Sequence, residues 1–195
     1  MNRLVPHNIK FANRMFELSS APQVSNALGL SVKTIQDTIS FIEFIKKEEK
    51  EGKQYSRVIY NEAEGLIGVI TLKDIDHNKK SCHIGTWIGF DYWGKGYNEW
   101  AKKEILLTAF QQLNLELVFA GAKKNNIRSI KAQEKLPYIT FNVESIFPDE
   151  HAKIERQTQS PCVLHVIQKD DFMKWYKMNN QNAAHKRQLE QHFYL

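Results

Sequence analysis

The chain has 195 residues, 42% of them hydrophobic and 25% charged, with two cysteines and a net charge of +5. That length suits one domain, whose core buries about 70% of the unfolded chain's surface without a staple. The composition excludes a disulfide scaffold, a structural zinc cluster of cysteines and, with no run of about 18 apolar residues, a transmembrane helix.

The opening, Arg3 to Ile9, is short and mixed and reads as an edge strand. Phe11, Met15 and Leu18 have helical spacing, and Ala21-Pro22 breaks that helix. Ser31 is positioned to cap a helix over Val32–Glu51, with Ile35, Ile39, Ile42 and Ile45 on one stripe and Gly52 at its end. Three strands follow in series: Ser56–Tyr60, Leu66–Leu72 and Cys82–Gly89. Turns at Asn61–Gly65 and His77–Lys80 join them into an antiparallel meander. After a loop holding two glycines, Tyr97, Ala101, Ile105, Ala109 and Phe110 mark one stripe of a helix over Tyr97–Leu113. Leu115–Ala120 is a strand and Asn126–Leu136 a helix stopped by Pro137. Ile139–Val143 is a strand, the polar segment Pro148–Gln159 a loop, Ser160–Gln168 the last strand and Lys169–Met178 a helix. Residues 1–178 form one domain, and residues 179–195 a polar tail that is either a docked helix or disordered. Antiparallel hairpins followed by alternating strands and helices predict a mixed α/β sheet with helices on its faces.

The start of the chain lacks the apolar stretch of a secretory signal, so a reducing cytoplasm is the expected compartment. Basic residues are interleaved with acids, as in Lys46–Glu51. The excess therefore argues for solubility or a polyanionic small ligand more than for a nucleic-acid face.

The sharpest local feature is the strand followed by Gly94-Lys95-Gly96 and a helix. A helix N-terminus leaves about four N–H groups unpaired and holds roughly half a positive charge, and glycines let a phosphate approach that backbone. The P-loop pattern is absent. The dinucleotide fingerprint is absent too, because Glu99 stands where it needs glycine.

His83–Gly89 followed by Tyr92-Trp93-Gly94-Lys95-Gly96-Tyr97 resembles motif A of the GNAT superfamily of acetyl-CoA-dependent N-acetyltransferases. Asn126-Ile127-Arg128-Ser129 with Glu134-Lys135-Leu136-Pro137-Tyr138 resembles that superfamily's N-x-x-S…E-K-x-G-F segment, and the ribosomal-protein N-acetyltransferase branch is the nearest type. Against the usual Q/R-x-x-G-x-G/A loop, Trp93 takes the first place and Asn98 the last. Pro137 replaces a glycine, and Gln133 stands where many members carry a tyrosine that protonates the leaving thiolate.

The resemblance implies a mostly antiparallel sheet of about seven strands, splayed between the fourth and fifth. It implies acetyl-CoA as co-substrate and a primary amine as acceptor, a small molecule or a ribosomal or other protein N-terminus. No membrane partner is expected, and the chain is expected to be a monomer or homodimer. The pantetheine arm is expected along Trp87, Ile88 and Gly89, and the pyrophosphate on Gly94, Lys95, Gly96, Tyr97 and Asn98. Asn126 is expected either to bind the cofactor or to cap its helix. Ser129 is the candidate proton donor to the thiolate, and His83 the candidate base or else a satisfied strand histidine. No metal is expected, since thioester aminolysis needs only an N–H donor at the carbonyl. The alternatives are an acyl-CoA-binding module without activity and a basic ribosome- or nucleic-acid-binding domain.

Overall fold

The computed structural model describes the backbone of residues 1–28 and 33–192, and side-chain surroundings for residues 1–27 and 33–181. Its frame is a seven-stranded sheet in the order β1-β2-β3-β4-β5-β7-β6. β1 (Asn2–Val5) is the edge. The expected meander is β2 (Tyr55–Asn61), β3 (Gly65–Asp76) and β4 (Ser81–Ile88), all antiparallel. The strand expected over Leu115–Ala120 runs as β5 (Leu117–Lys123), after Asn114 takes a left-handed φ of 52°. β6 is reduced to Ile139–Thr140, and β7 is Cys162–Gln168. β6 stops because Asn142 also turns left-handed and its N–H donates to His165 Nδ1 at 3.1 Å instead of to a strand.

Helices α1 (Ala12–Ser20), α2 (Pro22–Leu28) and α3 (Ile35–Lys50) follow β1. The sequence reading treats Ala21-Pro22 only as a break. In the structure Pro22 opens α2, where its missing N–H has no partner to lose and its ring presets a helical φ. The expected cap Ser31 lies outside the described residues. α3 instead has Thr34 and Asp37 as a reciprocal capping box. α4 (Tyr97–Leu107) buries Ala101, Ile105 and Leu106, then passes into one wide π turn over Thr108–Gln112. α5 is Ile127–Glu134, and α7 runs from Lys169 to His192.

One expectation is overturned. Pro148–Gln159 is not a loop: Pro148–Thr158 is helix α6. Its polarity hides it, because Ile154 is its single buried residue. That one anchor packs on Gly121 of β5, where a Cβ would stand 2.4 Å from Ile154 Cδ1. Pro148 at the first position, acids in the first turn and Arg156 in the last supply the terminal chemistry a helix wants.

The core lies under the middle of the sheet. Val58, Ile59, Ile67, Ile70, Leu72 and Val118 are fully enclosed, with Ala101, Ile105 and Phe110 packed against them. Among the described residues β4 and β5 are the one parallel pair, joined through α4. Their pairing covers only Ser81–His83 against Leu117–Phe119. Beyond His83 the two strands part, as the resemblance implies. No described helix is long and apolar enough to cross a membrane.

Candidate active site

Between the parted strands lies a cleft of 310 Å³. From Ile84 onward the edge of β4 that faced β5 has no strand partner among the described residues. An unpaired strand edge inside a protein is a template for an extended chain that carries amides. The cleft brings together His83, Trp87, Ile88, Asn98, Asn126 and Ser129. Gly94, Lys95, Gly96 and Tyr97 form the turn that opens α4, outside the cleft's described lining. Gly89 is also outside it: its N–H donates to Ile67 O at 2.8 Å, and Leu18 packs where its side chain would be.

The turn is built for a close approach. Gly94 and Gly96 have φ of 75° and 79°, a conformation that costs other residues about 1 to 2 kcal/mol. A Cβ on Gly96 would meet no protein atom within 4 Å. Gly96 is the N-cap of α4 and lends no side-chain cap, so the first N–H groups of the helix stay open. Lys95 folds back, with its ammonium 5.5 Å from the Tyr92 ring centre.

Three buried polar atoms on the cleft wall have no protein partner among the described residues: Thr86 Oγ1, Asn98 Oδ1 and Gln133 Oε1. Buried polar groups are nearly always paired, so such a group signals a place for a water, ion or ligand, or strain. The charge is one-sided as well. Lys73, Lys102, Lys123 and Arg128 line the cleft, and no carboxylate does among the described residues.

At the mouth, the Trp93 Nε1–H donates to Ile88 O at 2.7 Å, and the Arg128 guanidinium stacks 3.0 Å from the Trp93 ring centre. This strap joins the end of β4, the glycine turn and α5. Asn126 caps α5: its Oδ1 accepts from the Ser129 N–H at 3.1 Å while its Nδ2 donates to Ala27 O at 3.3 Å. Gln133, in the place where a tyrosine is common, is 4% exposed and donates to Ser129 Oγ at 3.4 Å. That bond occupies a lone pair of Ser129 and leaves its hydroxyl hydrogen free to point into the cleft.

At the apex, His83 is 2% exposed, and its Nε2 lies 2.8 Å from Glu150 Oε2 on α6. Burial lowers the pKa of His83, outweighing the opposing pull of Glu150. Burial pushes the Glu150 carboxyl up, but the bond from His83 and the nearby Lys153 and Lys79 together bring it down. Both directions describe a neutral imidazole that donates Nε2–H to an ionised carboxylate, with a lone pair left on Nδ1.

Sequence reasoning misses Glu150, Thr86 and Lys102. Nothing local marks the first two. Lys102 had a signal: it lies three and four residues before Ile105 and Leu106, both fully buried, so its side chain must turn inward with theirs.

Residues 3–138 match the family described as an acetyltransferase (GNAT) domain. The uncharacterized N-acetyltransferase p20 of Bacillus licheniformis is 28% identical over 138 residues, 69% of this chain and 75% of that protein. Among solved structures, the microcin C7 self-immunity acetyltransferase MccE, in complex with acetyl-CoA and AMP, superposes with a TM-score of 0.64. It is 21% identical, over 72% of this chain and 79% of its own. Spermidine N-acetyltransferase from Vibrio cholerae, in complex with CoA and spermine, gives a TM-score of 0.69. It is 13% identical, over 88% of this chain and 98% of its own.

Proposed function

The chain belongs to the GNAT acetyltransferase family, and on that premise we propose that it moves the acetyl group of acetyl-CoA directly onto a primary amine. The observation that carries the reading is the unpaired edge of β4 in a cation-lined cleft that ends at the left-handed glycine turn of α4.

The residues divide the work along that cleft. The open N–H groups after Gly96 receive the pyrophosphate, with Lys95 and Arg128 adding positive charge. Ile84, Thr86 and Ile88, whose backbone amides point away from β3, present the free edge to the pantetheine amides, with the Trp87 amides paired to β3. When bound, acetyl-CoA supplies a thioester carbonyl that an amine can attack. The acceptor amine is mostly protonated at neutral pH and must lose a proton first. His83 is the base: its Nδ1 lone pair takes that proton while Glu150 holds Nε2–H and stabilises the cation formed. A backbone N–H of the unpaired β4 edge, at Ile84 or Thr86, faces the charge that develops on the carbonyl oxygen. Ser129, held by Gln133, directs its hydroxyl at the departing sulfur as a hydrogen bond.

The acceptor is a small-molecule amine or a protein N-terminus. The experiment is release of free thiol from acetyl-CoA with a panel of polyamines, amino acids and peptides with free N-termini. Turnover with one of these is expected. Tight CoA binding with no thiol released from any acceptor would identify the chain instead as an acyl-CoA-binding module.

A further inference from the structure

α4 carries a second polar residue into the cleft, one turn after Asn98. Lys102 is 7% exposed and lines the same space as Ser129, Gln133 and His83. It has no carboxylate or hydrogen-bond partner among the described residues, and burial alone acts on it, lowering its pKa to about 8. The titratable groups that share its cleft are His83 on β4, Lys73 on β3, Lys123 on β5, Arg128 on α5 and Cys162 at the start of β7, none of them a carboxylate. A lysine is almost never buried without a partner in an ordinary core. The Lys102 ammonium is not among the fully enclosed unpartnered atoms, so it reaches the open cleft, where what enters can pair with it.

Its place along the cleft says which part of the ligand it meets. α4 connects two parallel strands, so it runs back along β4 from the mouth toward the apex. Lys102 lies six residues past Gly96, roughly 9 Å along the helix axis. The stretch of β4 from Ile88 back to His83 is roughly 16 Å. Lys102 therefore serves the middle of the cleft, between the phosphate turn and the histidine.

We propose that Lys102 is a further catalytic residue, the acid that returns a proton to the CoA sulfur as the thioester is cleaved. The proposal rests on the acetyltransferase reading above. A chemical gap motivates it. A serine hydroxyl is a far weaker acid than a thiol of pKa about 8.5, so Ser129 can hydrogen-bond the sulfur but cannot leave it protonated on its own. A buried ammonium that releases its proton near the working pH can. At neutral pH Lys102 is mostly protonated, so it acts as an acid and does not compete with the acceptor for the acetyl group.

The step balances. A C–N bond forms between the acceptor and the carbonyl carbon, the C–S bond breaks, and its electron pair goes to sulfur. A proton passes from Lys102 Nζ to that sulfur. Lys102, now neutral, regains a proton through solvent, matching the one His83 took from the amine.

Two variants and two readouts test this. The first readout needs no turnover: the ultraviolet absorption of the thiolate of free CoA bound to the protein, followed against pH. The parent is expected to ionise bound CoA at a lower pH than CoA in solution, and Lys102→Met to abolish that shift. Lys102→Arg keeps the charge but does not release a proton, so it is expected to retain the shift. The second readout is acetyl transfer. Lys102→Met and Lys102→Arg are both expected to lose on the order of a hundredfold in kcat, and the fall of the parent's kcat above about pH 8 is expected to vanish in both. A bound thiol that titrates identically in parent and Lys102→Met overturns the proposal. So does full turnover in either variant, or loss of CoA binding in Lys102→Met that Lys102→Arg restores together with turnover, which would make Lys102 an anchor. If the parent binds CoA but acetylates no amine, the acetyltransferase reading falls, and the thiol titration still decides whether Lys102 meets the sulfur.

Discussion

A charge held in a cleft for a ligand should weaken the empty protein, and Lys102→Met measures by how much. The folded chain releases the Lys102 proton near pH 8, against an ordinary value of 10.5. Between those values the unfolded chain binds more protons, so stability rises with pH; below about 8 the whole penalty is present. Each unit is worth about 1.36 kcal/mol, which puts the penalty at roughly 3 kcal/mol at pH 7. Methionine is unbranched, of similar reach and apolar, so it fills the same space without the charge. The variant without ligand should therefore gain roughly 3 kcal/mol at pH 7, or roughly 6 to 12 °C in Tm for a chain of this size. Urea unfolding of both proteins at pH 7 and pH 10 reads this directly, since the other lysines cancel in the difference. The gain should shrink toward zero at the higher pH. Equal stability at pH 7, or a difference that does not change with pH, would mean the Lys102 ammonium is solvated and the cleft holds no unpaired charge.

Three further outcomes follow from the site. Ser129→Ala should lower kcat at least about tenfold while CoA affinity, read by calorimetry, stays near the parent's, because Gln133 and the Asn126 cap remain. Gly96→Val should weaken CoA binding severely at a folding cost of only about 1 to 2 kcal/mol, since the new side chain points into open space but needs a left-handed φ; CoA binding at parental strength in the folded variant would refute the phosphate site. Glu150→Gln removes the carboxylate that holds the pKa of His83 up against burial, so the acidic limb of kcat/KM should move to lower pH and the plateau rate should fall as the base weakens.

Features set by neighbours a few residues apart were legible in the sequence. The meander β2–β4 shows in its turn residues and β-branched runs. α4 shows in a stripe at helical period, and the turn before it in glycines that alone adopt its left-handed φ without strain. Asn126 as a cap is equally local: its side chain reaches the N–H three residues on. The turns, the helix stripe and the cap are decided by backbone conformation or capping chemistry within about one turn, so the residues carry that information themselves.

Tertiary packing alone decided the rest. His83 becomes a candidate base only because Glu150, 67 positions away, sits 2.8 Å from its Nε2. That depends on α6, whose single apolar contact is too little for a periodic signal and whose seat is the missing side chain of Gly121. The cleft exists because β4 and β5 stop pairing after His83, and no residue of either strand announces where two strands will part. Of Lys102 and Lys103, the spacing to Ile105 and Leu106 marks Lys102 as the one that shares their side of the helix, but not that this side opens on a cleft. It is the packing of Ala101, Ile105 and Leu106 into the core that rotates one of the two inward and leaves its charge facing the cleft. Periodicity tells which residues share a helix face; only the assembled sheet and helices determine what that face meets, because a long-range contact has no counterpart in the residues beside it.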